Sequence, residues 1–147
     1  MRKNKKLPKQ PIYRRKGTVE VAQVLDFVPI DKESKLPGRK EFFGENVKIT
    51  SHRYVTYAVK GIQCAHCGLK GTFFALEQSL AQNTKKWHFN LYAINKYGEE
   101  VMMTVDHVVP LAKGGPDVLE NKQCLCFYCN NKKGDKYSQS EIVNQIK

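Results

Sequence analysis

The sequence predicts an α+β domain built around a β-hairpin and stapled by a four-cysteine metal site. Three observations carry this. The stretch WHFNLYAIN (87–95) alternates Phe89, Leu91 and Ala93 with His88, Asn90 and Tyr92, as a strand does. A KYG turn follows, and EEVMMTVDH (99–107) reads as the return strand. Two Cys-x-x-Cys pairs, Cys64/Cys67 and Cys126/Cys129, flank the hairpin.

The chain has 147 residues, which suits one domain, and its 41% apolar content is enough for a small core. Its net charge of +11 favours a polyanionic partner, nucleic acid before an anionic membrane. Much of that charge lies in MRKNKKLPKQPIYRRK, where Arg2, Lys3, Lys5, Lys6, Lys9, Arg14, Arg15 and Lys16 meet no Asp or Glu. Residues 1–16 therefore read as a disordered basic arm, with Arg14, Arg15 and Lys16 as nucleic-acid contacts. No apolar core of a secretory signal follows, and no apolar run approaches the ~18–20 residues of a membrane span. A soluble, cytoplasmic protein with reduced cysteines and no membrane partner is expected.

Residues 17–47 read as an N-terminal extension of unassigned structure. It opens with the β-branched GTVEVAQVLDFVPI, a strand or peripheral extended segment, followed by the polar, Pro-Gly-broken loop DKESKLPGRK. In ITSHRYVTYAV (49–59) the β-branched content favours a strand. The placement of Ser51, Tyr54, Tyr57 and Ala58 favours a capped helix, and helix is the reading adopted. TFFALEQ (72–78) reads as a strand and SLAQNTKK (79–86) as a polar excursion. NKQCLC (121–126) is a short strand or turn. SQSE (138–141) reads as a capping box opening a last helix.

A Cys-x-x-Cys turn presents two thiolates to one metal, and two such turns close a tetrahedral structural zinc site. Cys64, Cys67, Cys126 and Cys129 are the expected ligands. Cys124 fits the spacing poorly and reads as a small buried apolar residue. His66, His52 and His88 have ordinary readings as surface or partly buried histidines.

DHVVPLAKGG, then LEN with Asn121, then LCFYCNNKKG resembles the HNH endonuclease motif, with its ββα-metal fold. The paired cysteines resemble its zinc-bearing subgroup. The run from CGLKGTFFALE to MMTVDHVVP is similar to HNH proteins common in bacteriophages. The likeness spans roughly residues 48–137 and places a zinc-bearing nuclease domain at 48–147. It implies an α+β fold with a small ββα-metal (HNH) core, hydrolysis of DNA phosphodiester bonds and a product keeping its 5′ phosphate. For a phage-encoded chain it implies the host-cell cytoplasm.

The resemblance assigns roles. His107 would be the general base, since an imidazole pKa near ~6.5 suits proton abstraction at neutral pH. Asp106 would bind a catalytic cation, Asn130 would supply a second oxygen, and Asn121 would hold the loop and orient His107. The third position is Asn rather than His, and an oxygen set favours Mg²⁺ or Mn²⁺ over softer metals. Asn131, one place along, is the alternative ligand, and either Asn could instead cap a helix. Lys132 and Lys133, placed where a short helix should begin, are expected phosphate contacts. A non-catalytic zinc-ribbon nucleic-acid-binding protein is the alternative function, and RNA the less favoured substrate.

Overall fold

In the structure, a computed structural model, residues 7–80, 85–134 and 136 are described. The capping box expected at 138–141, with its helix, lies outside them. Among the described residues, seven strands and three α-helices follow in chain order: β1 (Tyr13–Glu20), α1 (Ala22–Leu25), β2 (Arg39–Phe42), β3 (Glu45–Lys48), α2 (His52–Lys60), β4 (Gly71–Ser79), β5 (His88–Ile94), β6 (Glu100–His107), β7 (Lys122–Cys126) and α3 (Phe127–Lys133). Five strands form one sheet in the order β1-β4-β5-β6-β7, and every adjacent pair is antiparallel. β2 and β3 form a separate hairpin.

The predicted hairpin is β5–β6, with Tyr92 opposite Met102 and Ile94 opposite Glu100. Its turn is held by Asn95, whose Oδ1 accepts from the amides of Tyr97 and Glu99. The expected helix at 49–59 is α2. It buries Tyr54 and Tyr57, one turn apart, against Phe74, and the Phe89 amide donates to the Tyr54 hydroxyl. Phe74, Leu76, Phe89 and Leu91 complete this core, while Ala75, Tyr92 and Met102 make a smaller cluster. Both faces of β5 are therefore covered, and its alternation does not separate core from solvent. The polar side is buried because Glu77, only 2% exposed, accepts bonds from Asn90, Tyr92 and Arg15.

Tyr13–Lys16 do not belong to a disordered arm. They are the first half of β1, which pairs with β4 through Tyr13 opposite Ser79 and Arg14 opposite Gln78. Arg15 Nε lies 2.9 Å from Glu77 and its Nη2 lies 2.7 Å from Glu100, with the guanidinium 4.8 Å over the Tyr92 ring. Residues 17–47 supply the rest of β1, α1 and the β2–β3 hairpin. The hairpin turn is Phe43-Gly44, both at positive φ, the conformation that matches the twist of a two-residue loop. The Phe43 ring lies where a Cβ on Gly17 would stand, so that glycine admits the hairpin against β1. Among the described residues no helix is long and apolar enough to cross a membrane.

Candidate functional site

Two groups of side chains meet around β6, β7 and α3. The first is the cysteine cluster. Cys64 and Cys67 sit on a tight turn closed by Cys64 N–H to Leu69 O and Gly68 N–H to Cys64 O, and Gly68 adopts the required positive φ. The Ala65 amide donates to Cys124 O and pins that turn onto β7. Cys126 ends β7 and caps α3, its sulfur accepting from the Cys129 amide at 3.4 Å. The Cys67 amide makes the same contact with Cys64 Sγ at 3.5 Å.

The four sulfurs lie within 4.8 Å of one another, and Cys67 Sγ is 3.9 Å from Cys126 Sγ. A tetrahedron with metal–sulfur bonds of about 2.3 Å has edges near 3.8 Å, so small side-chain shifts bring the donor set around one metal ion. Burial opposes ionisation of Cys64, but amide donors from Cys67, Cys126 and His66 bring its thiol down to about 7. Burial raises Cys126 and Cys129. Cys124 lies outside the cluster, is 4% exposed, and has its thiol pushed up to about 12 by burial. It is the small core residue that the spacing implied.

The second group surrounds the end of β6. Strand alternation sends Asp106 and His107 to opposite sides. On one side Asp106 Oδ2 lies 2.9 Å from Lys133 Nζ, and Gln123 Nε2 donates to it at 3.4 Å. Two residues earlier on that face, Thr104 Oγ1 accepts from Asn130 Nδ2 at 2.8 Å. Asn130 thus faces β6, while Asn131 is exposed and donates back to Phe127 O. Lys132 and Lys133 lie in the last turn of α3, not at its start as expected, because the cap is Cys126 and neither asparagine. Lys132 is exposed, and Lys133 also donates to His107 O at 3.2 Å.

On the other side His107 Nε2 lies 2.9 Å from Asp117 Oδ1. Lys122, opposite His107 across β6–β7 and only 4% exposed, points its ammonium to within 3.3 Å of the same oxygen. That ammonium is also 2.9 Å from His52 Nδ1 at the start of α2. Hydrogen bonds from His107 and Lys122 hold the Asp117 carboxyl below its ordinary range. Neither Asp117 nor Lys122 stands out in the sequence, where GGPD reads as a turn and NKQ as strand entry.

The intervening loop hangs on Asn121, which is 5% exposed. Its Oδ1 accepts from Val109 N, and its Nδ2 donates to the carbonyls of Val109 and Pro116. The Val108 amide returns the contact to Asn121 O. The loop must pass very close to itself, since a Cβ on Gly115 would stand 1.8 Å from Val109 O. Of the basic residues expected on nucleic acid, Arg14 is exposed on β1, whereas Arg15 is paired as above and Lys16 lies 2.7 Å from Glu45.

The arrangement defines a class: a mixed α+β domain in which two antiparallel strands and a following helix carry an Asp-His strand end beside a four-cysteine cluster. Residues 92–136, from within β5 to just past α3, match the family model described as HNH endonuclease. No curated protein and no solved structure matched the chain.

Proposed function

We propose that the chain is a metal-dependent endonuclease that hydrolyses DNA phosphodiester bonds with His107 as general base. The observation that supports it best is the setting of the Asp106-His107 strand end. Asn121 fixes the loop behind it, and Asn130 faces the same strand from α3. A divalent cation, Mg²⁺ or Mn²⁺, would be held by Asp106 and the amide oxygen of Asn130, a hard donor pair suited to such ions. When bound, that cation supplies stabilisation of the charge that develops on the phosphoryl and leaving oxygens. The Lys133 ammonium on Asp106 fits the same demand, because this carboxylate already stands toward a positive charge.

His107 takes the proton of the attacking water, and the imidazolium so formed lies beside the Asp117 carboxylate. Lys122 reaches the same oxygen of that carboxylate. Asn121 keeps the backbone on both sides of Val109 in place, so His107 does not have to be positioned anew at each turnover. The four-cysteine cluster, occupied by zinc with no open coordination position, would be structural and would join the chain before β4 to the start of α3.

Plasmid nicking tests this reading. Wild-type protein is expected to cut with Mg²⁺ or Mn²⁺, and His107→Ala to bind DNA without cutting. Unchanged cutting by His107→Ala removes the mechanism. No cutting by wild type in either metal favours a zinc-ribbon binding protein.

A further inference from the structure

We propose that the cleft between the β2–β3 hairpin, the start of β5 and the N-terminus of α2 binds the phosphodiester backbone of DNA, as a second contact surface outside the HNH segment. This rests on the reading of nucleic acid as substrate. Two adjoining hollows, the larger of about 480 Å³, share Lys48, Lys86 and Trp87 as walls. Arg39 and Lys85 line the smaller hollow. Among the described lining residues the single acid is Glu45, and Lys16 neutralises it at 2.7 Å.

Arg39 and Lys48 are direct cross-strand partners on the hairpin, and both are exposed. Like charges directly opposite one another destabilise an antiparallel pair. A phosphate lying across them removes that repulsion. Trp87 offers an aromatic wall, with the Lys16 ammonium 5.3 Å from its ring centroid. A cationic groove with an aromatic wall is the chemistry that follows a nucleic-acid strand.

The cleft also adjoins the HNH site. Ser51 and Arg53 line the larger hollow, and His52 between them bonds Lys122, which reaches Asp117 and through it His107. The contact chain thus ties the N-terminus of α2, which lines the cleft, to the loop and strand that carry Asp117 and His107.

The test is binding of a short DNA duplex by the full chain, followed by fluorescence anisotropy without added Mg²⁺ or Mn²⁺ across a salt series. R39A/K48A/K85A is compared with K32A/K35A/K96A, which removes equal charge elsewhere. The cleft variant is expected to bind at least ~10-fold more weakly near ~0.1 M salt, with its log–log salt slope reduced by about three units. The control is expected to bind as wild type. Both should keep the wild-type metal content and melting temperature. Equal loss in both variants, or wild-type affinity and slope in the cleft variant, overturns the proposal. Cleft-dependent binding by a chain that cuts in neither metal sinks the nuclease reading and leaves the cleft standing. Cutting with cleft-independent binding does the reverse.

Discussion

Lys133 Nζ lies 2.9 Å from Asp106 Oδ2, and both side chains are largely withdrawn from solvent, at 12% and 16% exposed. The pair ties the end of α3 to the end of β6. It also sets a lysine where the proposed catalytic cation would draw on the same carboxylate.

Lys133→Ala should therefore leave Asp106 without its charge partner and cost about 1–3 kcal/mol of stability. Millimolar Mg²⁺ should restore more stability to this variant than it adds to wild type, because only in the variant is the carboxylate uncompensated. Urea unfolding with and without Mg²⁺ reads both effects. An unchanged midpoint with no differential response to Mg²⁺ would remove Asp106 from the proposed cation site.

The cysteines give a selective prediction. One zinc per chain is expected by elemental analysis. Cys67→Ser should lose the metal and destabilise the domain, since structural zinc contributes folding energy directly. Cys124→Ser should keep the metal and cost only about 1–2 kcal/mol, the penalty of a hydroxyl in a site built for a thiol. Zinc loss from Cys124→Ser would show that the wrong four thiols have been grouped.

The features legible in the sequence are those written in local spacing. The alternation of 87–95 and its KYG turn specified β5–β6, and the paired Cys-x-x-Cys motifs specified the four-cysteine cluster. Tyr13–Lys16 were not legible as strand because what neutralises Arg15, Glu77 and Glu100, lies far along the chain. The start of α3 was misplaced because the cap is a cysteine sulfur rather than an asparagine side chain. The chain from His52 through Lys122 and Asp117 to His107 was missed for the same reason as Arg15. It joins the first turn of α2 to a loop and a strand that only the tertiary fold brings together.

His88 makes stability depend on pH. Burial, reinforced by the nearby Arg53 charge, holds its folded-state pKa below the ordinary 6.5. Well above 6.5 the ring is neutral in both folded and unfolded chains and contributes no slope. Below it the unfolded ring takes up a proton that the folded ring resists. Stability therefore falls with pH until the folded ring also titrates. Urea midpoints for wild type and His88→Gln, measured from neutral pH down to about pH 5, should converge as the pH drops. Parallel curves would mean that His88 titrates alike in both states.

The two glycines of the loop beyond His107 should respond differently to alanine. Gly114 sits at φ +87°, and a Cβ there would meet nothing within 4 Å. Gly114→Ala therefore carries only the backbone penalty of the left-handed region, about 1–2 kcal/mol. At Gly115 a Cβ would lie 1.8 Å from Val109 O and 3.0 Å from Asn121 Nδ2, so the loop must move off Asn121. That movement breaks bonds which fix the backbone two residues after His107. Gly115→Ala should lower plasmid cutting by about 100-fold or more, the scale of a misplaced catalytic group. Gly114→Ala should retain most of its cutting, with any loss following its reduced stability. Metal content should stay at the wild-type level in both, because the cysteine turns lie outside this loop. Equal activity losses in the two variants would show that close packing of Gly115 on Val109 does not set the position of His107.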